Sequence, residues 1–356
     1  MTLLDRYIIR TILGAVALVL AVVVVLGALF LFIGEQEDIG VGHYSTLDAV
    51  WFVVLNVPQQ AWQALPIAAL IGALIGLGSL ARGSELTVMR AAGISVARLA
   101  AAALGAAFIL ITLEVALGEY LGPQLEQAAK QYKAFNKFTD MSYGGGGGGA
   151  WVRDGNVILN VTRESTGSRF GAMQVFELSP GHRLLAIGHA VRATAGQNRS
   201  WLLSDYTESR FTPERVLTRP VGARVLESTV SAGFLGLAVQ NPNDLDISAL
   251  WGLIGYFRAN ELDVRSYVFA FWSRIARTVA IAFAVLLAIP FVLGSLRSAG
   301  AGSRTLVGLL LGLGFFLLQR LIESGTIVFQ LNPVVLAWLP TALLMAVSLG
   351  LLARAR

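Results

Sequence analysis

The chain contains no cysteine, so disulfides, thiol catalysis and cysteine-based metal sites are excluded. Charge is scarce: 14% of residues are charged, against about a quarter in a soluble domain. Lysine occurs only at Lys130, Lys133 and Lys137; the other basic residues are arginine. No G-x-x-x-x-G-K-[ST] is present, which excludes nucleotide binding through a P-loop. Histidine is limited to His43, His182 and His189, and the last two, seven apart in a strand-like stretch, read as surface residues rather than a metal pair. No serine or threonine has the acid and base partners of an activated nucleophile, so no catalytic constellation emerges.

What is present is hydrophobic. The 356 residues are 55% apolar, and the apolar residues are clustered at about 11–33, 50–81, 96–118, 267–294, 305–322 and 334–353. The first stretch runs without a charge over a length that spans a hydrocarbon core of about 30 Å, and is too long for a cleaved signal peptide. The second is too long for one straight crossing and contains Pro58 and Pro66, so its first part is expected at the interface or kinked. Six transmembrane helices are predicted.

Short loops set the orientation. Arg6 and Arg10, Arg82, Arg90 and Arg98, Arg297 and Arg304, and Arg354 and Arg356 fall on one side. The opposite loops hold Glu35, Glu37, Asp38, Asp48 and Glu323 without a basic residue. The arginine-rich side is expected to be cytoplasmic, with both termini there. The net charge of +5 is thus spent on membrane orientation and does not point to nucleic acid.

Residues 123–262 form one large insert on the other side. The runs 151–161, 172–178, 182–191, 200–211 and 222–230 alternate apolar and polar residues, and Asp154-Gly155 is a hairpin signal. A β-rich domain is expected, as a sandwich or open barrel. Residues 124–140 read as a polar helical extension of helix three, and Gly144–Gly149 as a flexible tether. The domains are therefore 1–122 with helices one to three, the insert 123–262, and 263–356 with helices four to six.

Two stretches admit two readings each. ARGSELTVMRAAGIS (81–95) is either a positive-inside loop with Ser84 as a helix cap, or a short amphipathic helix offered to a cytosolic partner, with Leu86, Met89 and Ile94 on one side. Arg274 and Arg277 lie inside an apolar segment, and either snorkel to the interface or face a cavity together with Glu114, Glu119, Arg320 and Glu323. Internal ion pairing is equally open.

LDRY (4–7), SELTVM-x-A-x-G (84–93), GEY-x-x-P (118–123), W-x-R-D-G-N (151–156), NPNDLDIS (241–248), W-S-R-I (272–275) and LRS (296–298) occur in one order along the chain. Together with the six-helix plan and the insert after helix three, they resemble the lipopolysaccharide export permease family, the LptF/LptG type. LDRY and W-x-R-D-G-N look more like the LptG branch. The resemblance implies an ATP-binding-cassette exporter of lipopolysaccharide in the bacterial inner membrane. This subunit would pair with an LptF-like one above two copies of an LptB-like ATPase, which binds the ATP and Mg. The insert would be a periplasmic jellyroll that hands lipid to an LptC-like single-span protein and a periplasmic bridge.

By the same resemblance, residues 82–95 are a coupling helix, with Arg82, Ser84, Glu85, Met89 and Arg90 at the ATPase and Glu85 as partner of a basic ATPase residue. Lipid would enter between helix one of one subunit and helix five of the other. That places Leu26, Phe30, Phe32, Phe315 and Phe316 at the acyl cavity and gate. Arg274, Arg277, Arg320 and Glu119 would meet the head group. One departure stands out: where LptG-type members carry lysines at the outer end of helix one, this chain reads GEQEDIG (34–40). Phosphate binding is then expected to pass to Arg274, Arg277 or divalent cations. Two rivals remain, a non-transporting anchor for a periplasmic protein and an ion-coupled lipid flippase, and ATP dependence separates both from the exporter.

Overall fold

The computed structural model describes residues 3–138, 150–163, 169–179, 181, 183–195, 200–212, 215–227, 242–260, 262–293, 306, 310–315, 317–319, 321–322 and 331–354. It divides into two compact units, Met1–Lys137 with Arg265–Arg356, and Phe138–Val264. The division falls later than the expected boundary at residue 123, because the polar helix after helix three stays with the helical unit.

In chain order the helices are α1 (Leu3–Gly34), α2 (Thr46–Arg82), α3 (Glu85–Ala91), α4 (Val96–Val115), α5 (Gly122–Phe138), α6 (Ile247–Ala259), α7 (Arg265–Leu293), α8 (Leu310–Gln319) and α9 (Pro333–Arg354). A 3-10 turn, Glu35–Asp38, prolongs α1, and a π turn, Ala116–Leu121, joins α4 to α5. Five of the described helices are long and apolar enough to cross a membrane: α1, α2, α4 running through the π turn into α5, α7 and α9. Where a sixth span is expected, at 305–322, the described residues give the ten-residue α8. α2 is one continuous helix with Pro58 and Pro66 inside it, started by a capping box in which Ser45 Oγ accepts from Asp48 N–H and Asp48 accepts from Ser45 N–H.

The helical core is built on close approach. Gly72 and Gly76 of α2, four apart on one face, admit the backbone of α1 at Val16 and Ile12; a Cβ on Gly72 would lie 2.5 Å from Val16 Cα. Small residues spaced this way let apolar helices pack where lipid supplies no hydrophobic drive. Ile8, Ile12 and Val16 of α1, the alanines of α4, and Ile281 to Val292 of α7 complete the cluster. All buried residues of α1 lie between Ile8 and Val19, so its second half leaves Val22, Leu26, Leu29, Phe30 and Ile33 exposed.

The second unit holds one antiparallel sheet of strands β1 (Ala150–Asp154), β2 (Val157–Arg163), β3 (Arg169–Leu178), β4 (Leu184–Ala190), β5 (Arg192–Ala195), β6 (Ser200–Phe211) and β7 (Val216–Glu227). β1 and β2 form the expected hairpin, with Asp154 opposite Val157 and Gly155 at φ +59°. β3 pairs with β2, β4 and β5, and β6 pairs with β4, β5 and β7. Leu159, Met173, Val175, Trp201, Leu203 and Tyr206 form its core, with Tyr256 of α6 packed against it. β5 escaped the sequence reading because four residues give too little alternation. The hexaglycine at 144–149, the motif LRS (296–298) and all of 228–241 lie outside the described residues, as do His182, Arg297, Arg304, Phe316, Arg320, Glu323 and Arg356.

Candidate functional site

The densest polar site inside the helical unit is built by α2, the π turn and α7. In a regular α-helix the N–H of Gly122 would bond the carbonyl of Gly118, but here it bonds Leu117 O. The freed Gly118 carbonyl accepts from Arg274 Nη1 at 2.9 Å, and the same nitrogen meets Glu119 Oε1 at 2.9 Å. Trp62 of α2 lies against Gly118, where a Cβ would stand 2.3 Å from Nε1. The Arg274 and Arg277 guanidiniums both sit over the Trp62 ring, 4.4 and 4.6 Å from its centroid. With its amide turned so that the oxygen faces the guanidinium, Gln319 of α8 accepts from Nε and Nη2 of Arg277 at 3.2 and 2.9 Å. Below this group Glu114 is 1% exposed, and among the described residues neither carboxylate oxygen has a hydrogen-bond partner.

In this geometry Arg274 and Glu119, both expected at the head group, face one another. Arg274 is 5% exposed and is held by Glu119, Gly118 and Trp62, so internal ion pairing is the outcome of the three readings left open by sequence. Arg277 is half-buried and engaged by Trp62 and Gln319. Sequence reasoning missed Trp62 and the role of Gly118. Their signal was the polar Gln59 three residues before Trp62 in an apolar helix, and the glycines four apart at 118 and 122 that these two side chains meet.

The second site explains the acidic end of α1. Glu35, nearly fully buried, accepts from Lys133 Nζ at 2.8 Å and from the Tyr44 hydroxyl at 2.9 Å. Lys133 also meets Asp38 at 2.7 Å and sits over the Phe52 ring. Nearby the Tyr132 hydroxyl donates to Asp48, and His43 N–H to the Asn136 carbonyl. The cation at this end comes from α5, not from α1. Among the described residues no group of three or more His, Asp or Glu side chains is placed to hold a metal.

The third site is α3. Its Leu86 is buried, and Met89 and Ile94 pack on the helical core. The apolar side of α3 thus packs on the helical core, with Met89 half-buried. The outward face carries Thr87, Val88, Arg90 and Ala91, and Arg82 at the end of α2 is exposed beside it. Ser84 adopts φ +59° and makes no side-chain cap, contrary to the expected cap. Glu85 is half-buried and accepts a hydrogen bond from the Tyr7 hydroxyl, while Arg98 pairs with Asp5 at 3.2 Å. LDRY and SELTVM thus meet in space. Of the expected gate residues, Leu26 and Phe30 are exposed on α1, Phe32 is half-buried, and Phe315 lines a small cavity with Arg277, Gln319 and Thr341.

Comparison with known proteins places this architecture. The family model described as lipopolysaccharide export system permease LptF/LptG matches residues 6–354. The chain is 31% identical to the lipopolysaccharide export system permease protein LptG of Escherichia coli (strain K12), over 99% of this chain and 98% of that protein. It is 30% identical to the protein of the same name from Haemophilus influenzae (strain KW20/Rd), over 99% of both chains. A family match over residues 6–354, with 31% identity to an LptG protein over nearly the full length of both chains, shows that the chain belongs to the LptF/LptG family of lipopolysaccharide export permeases.

Proposed function

We propose that this chain is one permease subunit of an ATP-binding-cassette exporter. It extracts lipopolysaccharide from the outer leaflet of the inner membrane and passes it to a periplasmic bridge. The observation that carries this reading is α3: a short helix with exposed Val88 and Arg90, just after the exposed Arg82 that ends α2, between two spans in a chain without a P-loop. A docking helix and no ATPase motif call for hydrolysis in trans, by an LptB-like dimer that holds the ATP and Mg. An LptF-like subunit supplies the other half of the pathway, and an LptC-like protein receives lipid from the β unit, acting as a periplasmic jellyroll. Both termini lie on the cytoplasmic side, following the arginines.

The exposed second half of α1 is the lateral gate in this reading. Its first half is fixed on Gly72 and Gly76, while its far end is held by the Lys133 clamp on Glu35 and Asp38. Lipid tails would pass Leu26 and Phe30.

The test is purification of the tagged protein from membranes in mild detergent, scored for a co-purifying ATPase and bound lipopolysaccharide. Both should be present, and Glu85→Arg should uncouple hydrolysis from lipid release, since the carboxylate is the only acid on α3. A protein that comes out alone and lipid-free supports the anchor reading instead. Normal export by Glu85→Arg would remove the coupling role from α3.

A further inference from the structure

Glu114 is the one buried acid near the α2–α7 site that the arrangement leaves unused. It lies four residues before Gly118, so on the continuous α-helical face it stands one turn below the carbonyl that Arg274 grips. The Arg277 and Arg274 guanidiniums are the charges that face it. A carboxyl kept in such a place without a partner is costly, and charged side chains in a span are seldom idle.

The structure holds the backbone beside it in one register, and a continuous α-helix would give it a second, at the cost of seating Pro123 inside the helix. Gly122 N–H now bonds Leu117 O, and Arg274 occupies the Gly118 carbonyl that an α-helix would assign to Gly122. If the turn rewinds, Gly122 takes back that carbonyl and Arg274 is expelled from it. The chain beyond the turn then rotates by about 100° and shifts by about 1.5 Å, carrying Glu119 off the guanidinium. Glu114, fixed on α4 before the turn, stays where it is, one turn below.

We propose that the π turn Ala116–Leu121 is a two-register joint, and that Glu114 is the positioning residue that receives Arg274 when the turn rewinds into α-helix. The proposal rests on the exporter reading and names a moving part for it. α3 leads through Ser95 into α4, α4 ends at the joint, and α5 beyond the joint carries Lys133, which holds Glu35 and Asp38 at the end of α1. A push on α3 thus reaches the α1 gate through one bistable element, which is what energetic coupling between distant sites requires.

The experiment uses the full exporter in proteoliposomes with Glu114→Leu. Removing a buried carboxyl without partners should leave assembly and thermal stability at or above wild type, and ATP hydrolysis should persist. Lipid transfer should fall about tenfold, the size expected for one lost hydrogen bond to a charged group. Glu114→Gln, which keeps the shape and one acceptor, should lie between the two and serves if the leucine variant does not assemble. Because the chain has no cysteine, spin labels at Ala128→Cys on α5 and Val50→Cys on α2, both exposed, report the joint directly. The nucleotide-free and ATP-trapped wild type should give two distances, and Glu114→Leu one. Unchanged lipid transfer by Glu114→Leu, or a single distance in wild type throughout the cycle, overturns the joint. The distances are read without any cargo, so an exporter of a different lipid would defeat the functional reading and leave this result standing.

Discussion

At the scale of single residues, the chain solves its intramembrane charges by pairing them with planar partners. Arg274 and Arg277 share Trp62, and their remaining donors go to Gly118, Glu119 and Gln319. Arginine suits this because its planar head stacks and donates at once. Lys133 does comparable work as a point charge between Glu35 and Asp38, with its charge over Phe52. Removing one partner of a pair this buried leaves the other uncompensated. Lys133→Met and Glu35→Gln should each lower the melting temperature in detergent, and the double variant should cost less than their sum. The coupling should amount to about 1–3 kcal/mol. Additive losses would mean that Asp38 and Tyr44, not Glu35, set the clamp.

At the scale of elements, helix packing depends on where side chains are absent. Gly72 and Gly76 let α1 and α2 touch backbone to backbone, and Gly118 and Gly122 admit Trp62 and Gln59 against the π turn. Neither pair can be enlarged cheaply. Gly72→Leu would force side-chain atoms onto the Val16 backbone and should destabilise the helical unit by about 2 kcal/mol or more, read as a lower melting temperature and loss of protease resistance. A stability equal to wild type would show that α1 can shift along α2 without penalty. α3 teaches the complementary point: it is the amphipathic helix that its pattern allowed, but its apolar side belongs to its own core and its polar side is the exposed one.

At the scale of the molecule, two units of different chemistry answer to different conditions. The β unit includes Tyr256, whose hydroxyl is pushed up to about 12 by burial first and by the neighbouring Asp154 carboxylate second. An unfolded tyrosine loses its proton near pH 10. Between these values the folded unit keeps a proton that the unfolded chain has released, so stability falls as pH rises. The contribution is complete below about pH 10 and gone above about pH 12. Tyr256→Phe should flatten that alkaline decline in the melting of the β unit while leaving its behaviour at neutral pH close to wild type. The same decline in both proteins would shift the cause to another group.

The sequence by itself determined the class of the molecule. Uninterrupted apolar runs of this length read as membrane-crossing helices, alternating runs bounded by Gly and Asp read as strands, and the arginine bias predicts an orientation. It also supplied the motif order that identifies the family, since order along a chain is a one-dimensional property. What it could not supply was partnership. Glu119 and Arg274 lie 155 residues apart, Glu35 and Lys133 lie 98 apart, and each charge taken alone reads as a candidate ligand contact. Only the tertiary structure decided that these charges face one another, because the choice between lipid and protein as a partner is made by helix register and close approach. The decisive details, a π turn that frees one carbonyl and two glycine pairs that let backbones meet, have no hydrophobic period to announce them.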